Sequence, residues 1–345
     1  MSKKKEDFQT IHDIGFSKLL EKLEKFSGVS KKTTIKGIGD DSSVVKYPAS
    51  QVSISSSKIM MEGVHFDLSY VPLHHLGYKC VTSAVSDIYA MNANPSEILI
   101  NLAVPNKISV QMIEQLYSGI NTACYDYDIQ VTGGDLTASV QVLTLSATAT
   151  GYSFEKDLTY RNGAKSGDLI CVTGDLGGAL AGLRILLREK KLWQENQEQY
   201  FQPDLDDYEY VIQKQLVPKA RNDFISVLLK EKIKPTSITD IAKGLITDLK
   251  KICNSSEAGA EIYSPSVPIA LNTRKVAEEM KEDVDKYAFY GGEDYELLFT
   301  IQNEDLEKLT EQFSDFTVIG KITDNASEII IKTGTDKTIA IETEN

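Results

Sequence analysis

Apolar positions along the chain follow two periods. Ile14, Leu19, Leu20, Leu23 and Phe26 recur at helical spacing and predict an amphipathic helix over 13–26. Val52 and Ile54 alternate with polar residues and predict a strand that ends before Met60. Helices are predicted over 75–92 and 109–124, a buried strand over 96–104 (SEILINLAV) and a short strand at 129–132. Val140, Val142 and Thr144 open a long alternating strand over 140–151. The apolar run DLICVT (168–173) predicts another strand, and the Gly-rich turn GDLGGALAGL leads from it into a helix. The polar stretch 190–208 reads as a surface excursion. Helices near 219–231 and 244–255 flank TSITDIAKGL. The loop YGGEDYE, a strand LLFTI, a helix at 304–313 and strands near 316–321, 328–332 and 338–342 complete the pattern. Helix and strand alternate throughout, which indicates an α/β protein. A length of 345 residues predicts two domains, 1–155 and 156–345, with the boundary near 150–160.

Charge narrows the partners. Lys and Arg number 37 against 50 Asp and Glu, so the net charge is −13. A polyanion is repelled by nucleic acid and by anionic lipid, so neither is expected as a partner. Hydrophobic residues at 41% and charged residues at 25% fit a globular chain. No apolar run reaches the roughly 20 residues that span a bilayer. The opening MSKKKEDF lacks the apolar stretch of a signal peptide. Cys80, Cys124, Cys171 and Cys253 lie far apart beside apolar residues, which reads as buried reduced thiols in a cytoplasmic protein.

Acidic residues recur in Gly-rich turns: Asp40 and Asp41 in GIGDDS, Asp135 in TGGDLT, Asp240 after SIT, Glu293 and Asp294 in YGGEDYE. Asp87 instead falls in a helical pattern, AVSDIYAM. Carboxylates beside glycine can approach a hard cation, and Mg²⁺ shares oxygen ligands with substrate phosphates. Asp and Gly are also plain turn formers. GDLGGALAGL lacks the Lys-Ser/Thr of a P-loop, which favours a packing turn over a phosphate cradle. His65, in EGVHFD, is the one histidine in a Gly-adjacent acidic context, where a structural hydrogen bond is the ordinary role.

Together the motifs GIGDDSSV, MMEGVHFDL, AVSDIYAMNANP, TGGDLT, YRNGAKSGDLICVTGDLG, DIAKGLITDL and YGGEDYELLFT resemble thiamine-monophosphate kinases, from about residue 11 to 322. These belong to the superfamily of aminoimidazole ribonucleotide synthetase. The resemblance implies an N-terminal α/β domain that pairs with its twin in a homodimer, followed by a C-terminal α/β domain. It also implies transfer of the ATP γ-phosphoryl to thiamine monophosphate or a similar small phosphorylated ligand. Asp41, Asp87, Asp135 and Asp240 match metal-ligand positions of that family, with Ser56 and Ser57 as a hydroxyl pair beside metal. Of these, Asp87, Asp135 and Asp240 are the expected catalytic carboxylates. Gly134, Asp135, Arg161 and Tyr117 match nucleotide-contacting positions, and His65 and Glu293 positions that contact the thiamine phosphate.

Several positions depart from that pattern. Lys58 and Lys243 stand where the family has metal-binding aspartates, Ala242 replaces a serine, and Leu136 replaces a threonine. The sequence closes IAIETEN, where relatives carry an aromatic segment over the thiamine ring. An ammonium has donors and no lone pair, so it cannot ligate Mg²⁺. It does bind phosphate as a compact point charge. The resemblance places both lysines at one cleft, where they are expected to hold nucleotide phosphates with fewer Mg²⁺ ions. Two outcomes stay open: a working kinase, or a catalytically impaired relative that binds nucleotide or another phosphorylated ligand.

Overall fold

The computed structural model describes residues 9–25, 31–38, 42–196, 205–326, 328–334 and 338–342. Two compact units emerge, 1–85 with 95–152 and 86–94 with 153–345. The segment 86–94 therefore belongs to the second unit although it lies early in the sequence.

In the first half of the chain the order is α1 (Ile11–Ile14), α2 (Phe16–Glu24), β1 (Thr34–Lys36), β2 (Val44–Val45), β3 (Val52–Met61), α3 (Leu73–Tyr89), β4 (Asn94–Pro105), α4 (Val110–Asp126), β5 (Gln130–Ser139) and β6 (Thr144–Ser153). β1 and β2 pair antiparallel, and a four-stranded sheet runs β3-β6-β4-β5. Alternation along β6 buries Leu145, Ala147 and Ala149 on one face. Ser109 caps α4, its hydroxyl accepting the Met112 amide at 3.2 Å.

The second unit continues with β7 (Leu169–Thr173), α5 (Gly178–Glu195), α6 (Glu209–Leu216), α7 (Asn222–Glu231), β8 (Ser237–Asp240), α8 (Leu245–Ser256), β9 (Gly259–Tyr263), α9 (Leu271–Met280), α10 (Val284–Tyr290), β10 (Leu297–Ile301), α11 (Asn303–Gln312), β11 (Phe316–Thr323), β12 (Glu328–Lys332) and β13 (Thr338–Glu342). Its seven-stranded sheet runs β13-β12-β9-β11-β7-β10-β8, which leaves β8 at an edge. β10 is buried at every position because both sheet faces are covered. Leu298, Ile170 and Val172 join Leu245, Ile246 and Leu249 of α8 in one core. Phe299, pointing the other way, packs on Phe224 of α7 with ring centroids 4.8 Å apart.

The structure revises some sequence expectations. The strand expected at 129–132 continues to Ser139, so Asp135 stands on a strand and not in a tight turn. Parallel pairing with β4 carries it onward, Asn101 opposite Asp135 and Pro105 opposite Ser139. Gly134 makes that approach feasible: its φ is +151° and a Cβ would lie 1.8 Å from the Ile100 carbonyl oxygen. β3 runs on through Met61, since Met60 is buried. Helices α6, α9 and α10 and strand β9 occupy stretches where the pattern predicted no element.

Candidate functional site

Chemistry-bearing residues of the second unit gather where β8 ends. Asp240 closes that strand opposite Leu297 of β10. The chain then turns through Ile241, Ala242, Lys243 and Gly244 into α8, and the YGGEDYE turn is laced to it by backbone hydrogen bonds. The Ile241 amide donates to Glu296 O at 2.7 Å, Tyr295 to Ile241 O at 3.1 Å and Glu293 to Ala242 O at 3.1 Å. Gly244 has φ +101°, and a Cβ there would lie 2.9 Å from Gly291 O, so only glycine lets the two turns close. Asp248, fully buried, accepts the Lys243 amide at 2.8 Å and Lys251 Nζ at 2.6 Å. The turn is thus fixed from beneath, with Lys243 itself exposed. Glu293 holds a left-handed backbone, φ +67°, and its carboxylate lies 3.4 Å from Gln215 Nε2.

Two further elements meet this turn. Arg161 donates through Nε to Thr239 Oγ1 at 3.3 Å, and its carbonyl accepts from Ser237 and Ser256 hydroxyls at 2.9 Å each. The last turn of α3 brings Ser86, whose hydroxyl donates to Asp240 Oδ2 at 3.1 Å. Asp87 is the next residue on that turn and is half-buried. Asp87, Arg161, Asp240, Lys243 and Glu293 are therefore brought to one end of one sheet.

The oxygen donors there fit a hard cation. A helix C-terminus carries partial negative charge, and the last turn of α3 holds Asp87 with no basic residue. Asp240 is nearly fully buried beside it. Among the described residues no three His, Cys, Asp or Glu side chains gather as a complete metal cage. One or two carboxylates plus substrate phosphate is the ordinary Mg²⁺ arrangement, and that is what Asp87 and Asp240 could supply.

The first unit carries the remaining expected residues. Ser56, Ser57 and Lys58 lie on edge strand β3. Successive strand residues face opposite ways, so Ser56 and Lys58 share one face and Ser57 takes the other, 2.9 Å from Thr148 Oγ1. His65 accepts the Met61 amide on Nδ1 at 3.1 Å, which leaves Nε2 to carry the proton of the neutral ring. Tyr117 sits on α4, and burial pushes its hydroxyl up to about 12, keeping it neutral. Gly134 and Asp135 lie on β5, where Asp135 Oδ1 accepts the Leu136 amide at 2.8 Å. Because β6 and β4 separate β3 from β5, Ser57 and Asp135 stand roughly 14 Å apart by strand spacing. The sheet alone does not bring them together. Asp41 lies outside the described residues.

A cavity of about 570 Å³ in the second unit is lined by residues that sequence reasoning missed, among them Asp175, Lys214, Arg221 and Asp315. Glu296 is the hub of its floor, accepting from Thr173 Oγ1 at 2.7 Å, Arg221 at 2.9 Å and Lys214 at 3.0 Å. Arg221 also pairs with Asp223 and Asp315, each at 2.8 Å. Burial alone would lower Lys214, but Glu296 and Asp175 outweigh it and hold the ammonium up. Asp294 is pushed up to about 7 by burial, against the opposing pull of the Gly177 and Ala179 amides that it accepts. Glu296 and Asp294 reach these partners across 75 or more residues of sequence, a separation that leaves no local signal.

Comparison with known proteins follows the same division. The chain matches the model "AIR synthase related protein, N-terminal domain" over 39–153 and "AIR synthase related protein, C-terminal domain" over 165–332. It is 32% identical to a thiamine-monophosphate kinase of Aquifex aeolicus over 85% of this chain and 89% of that protein. A Bacillus subtilis thiamine-monophosphate kinase is 31% identical over 86% of this chain and 88% of its own. The crystal structure of a thiamine-monophosphate kinase from Stenotrophomonas maltophilia superimposes with a TM-score of 0.75, at 29% identity, covering 89% of this chain and 93% of that one. A complex of AaThiL with AMPPCP and TMP gives a TM-score of 0.71 at 29% identity, over 95% of this chain and 96% of the other.

Proposed function

Since the chain belongs to the thiamine-monophosphate kinase family, we propose that it transfers the γ-phosphoryl group of ATP to thiamine monophosphate. The observation that carries this reading is the assembly at the end of β8, where buried Asp240 is tied to the Ser86–Asp87 turn and flanked by Arg161, Lys243 and Glu293. Phosphoryl transfer needs positioning and charge neutralisation more than covalent help. When bound, Mg²⁺ held by Asp87 and Asp240 would neutralise phosphate oxygens; within the first unit, Asp135 is the candidate metal ligand. Arg161 would contact the nucleotide. Tyr117 would offer a neutral hydroxyl, and His65 a donor Nε2–H for the thiamine phosphate. Glu293, locked in its turn, would orient the acceptor. Lys58 and Lys243 would take over part of the neutralisation as point charges, reducing the number of metal ions needed.

A second reading has its own support. Lys243 is exposed three residues after Asp240, and its amide is fixed by Asp248, so a lysine occupies a position where the family has a metal-binding aspartate. A cation in place of a metal-binding carboxylate suits nucleotide binding without turnover. A coupled assay with thiamine monophosphate, ATP and Mg²⁺ separates the two. Formation of thiamine diphosphate supports the kinase; ATP binding with no product supports the silent binder.

We further propose that the protein is a homodimer formed through its first unit. Ile59 and Met61, on one face of edge strand β3, with Val64 just after it, are exposed apolar residues that a twin subunit would cover. Light scattering at micromolar concentration should give twice 38.2 kDa; a clean monomer would refute the dimer.

A further inference from the structure

Several helix-interior hydroxyls in this chain bond their own backbone. Ser83 donates to Cys80 O, Thr122 to Ser118 O, Ser226 to Asn222 O and Thr310 to Leu306 O, at 2.7–3.0 Å. Ser86, like Thr82, whose hydroxyl pairs with that of Tyr127 at 3.1 Å, bonds outside its helix. Its hydroxyl reaches Asp240, 154 residues away in sequence, and both side chains are buried, at 1% and 3% exposure. A hydroxyl aimed at one carboxylate oxygen has a definite consequence: Oδ2 is engaged, and rotation of the carboxylate about its Cβ–Cγ bond is restricted. The other oxygen, Oδ1, is thereby given a fixed direction. Asp87 follows on the same helical turn, so one short segment supplies both a candidate ligand and the group that orients another.

We propose that Ser86 is a positioning residue for divalent-cation binding: its hydroxyl holds the Asp240 carboxylate in ligating orientation beside Asp87. This rests on the metal-dependent reading of the site given above. Groups that orient a metal ligand from behind typically change affinity by about 10–100-fold when removed. The pairing also meets a need in the absence of the ion. A buried carboxylate at the negative end of α3 is costly, and one neutral hydrogen bond lowers that cost without competing for the cation.

The test is direct Mn²⁺ binding to the full-length protein with AMPPCP present, followed by electron paramagnetic resonance and calorimetry rather than turnover. Ser86→Ala should weaken Mn²⁺ binding about 10-fold or more. Ser83→Ala, which deletes an equally buried hydroxyl that bonds only the helix backbone, should leave the affinity within about 2-fold of wild type. The two substitutions remove similar atoms from the same helix, so a general loosening of α3 would affect both. A double-mutant cycle then asks whether Ser86 acts through Asp240. In an Asp240→Asn background, Ser86→Ala should add no further loss, whereas a merely structural role would add its full effect. Wild-type affinity in Ser86→Ala, or equal losses in Ser83→Ala and Ser86→Ala, overturns the proposal. Absence of any Mn²⁺ binding by the wild type overturns the metal-dependent reading and this proposal together. Intact metal binding without thiamine diphosphate formation refutes only the kinase.

Discussion

Asp248→Ala removes a side chain that is not itself an expected ligand yet holds the turn on which Lys243 and Glu293 depend. Two interactions disappear. The Lys243 amide loses its acceptor at 2.8 Å, and Lys251 Nζ loses its partner at 2.6 Å. A hydrogen bond to a buried charged acceptor contributes about 1.5–3 kcal/mol. The Lys251 pair is one-third exposed on the lysine side, so it adds no more than about 1 kcal/mol. The expected loss is therefore about 3 kcal/mol, or roughly 6–12 °C in Tm for a unit near 200 residues. Asp248→Asn keeps a carbonyl for the Lys243 amide but gives up its charge and the ion pair, so its loss should be about 1–2 kcal/mol, below that of alanine. Urea unfolding of both variants, alongside the ATP concentration dependence of activity or binding, provides the assay. Weaker ATP binding is expected in Asp248→Ala at temperatures where the protein is still folded, because the turn is no longer fixed from beneath. Equal stabilities for the alanine and asparagine variants would refute the assignment of the backbone amide as the main contribution.

Three other predictions rest on separate observations. Asp294, with its carboxyl raised from 3.8 to about 7, stays protonated in the folded state where the unfolded chain ionises; the stability this brings is fully present below pH 3.8 and lost as pH rises to about 7. Asp294→Asn should flatten that part of the pH–stability profile, and parallel profiles for variant and wild type would contradict the burial argument. Glu296→Ala leaves Lys214 and Arg221 without their shared buried partner and should cost about 3–5 kcal/mol in urea unfolding, with a loss under about 1 kcal/mol counting against the hub. If Lys58 and Lys243 stand in for cations, ATP binding should fall steeply with salt but only modestly on adding EDTA, and Lys58→Asp with Lys243→Asp should restore Mg²⁺ dependence; loss of ATP binding on chelation of the wild type would show that the lysines do not replace metal.

Much of this architecture can be read locally. Strands 328–332 and 338–342 coincide with their apolar runs, and DLICVT yields β7 because a strand buried on both faces is continuously apolar. Asp240, Glu293 and Arg161 were marked by motifs and do meet at one sheet end. TGGDLT misled because two glycines signal a turn, whereas here they let β5 lie close along β4. α9 escaped notice because only Thr273, Val276 and Ala277 of its ten residues are buried, too thin a stripe to show a period. Ser86, Asp248 and the Glu296 hub were illegible for a different reason. Their roles are defined by partners that folding alone brings near, and serine in a helix or aspartate in a first helical turn looks the same with or without such a partner.

The allocation of residues 86–94 to the second unit bears on how such a chain could be divided by gene fission or assembled from fragments. A fragment beginning at 153 would carry every strand of the seven-stranded sheet yet lack Ser86 opposite Asp240, the Met91 carbonyl that accepts the Thr159 amide at 3.1 Å, and Asn92, which donates to Asp157 O at 3.0 Å. A fragment ending there would hold that segment with none of these partners. Each half would lack contacts that the other supplies, so recombination that exchanged one half for a distant relative's would have to preserve nine residues belonging to the other. During synthesis the dependency runs one way: 86–94 leaves the ribosome first and waits for about 150 residues until Asp240 arrives, so that hydrogen bond cannot form before then.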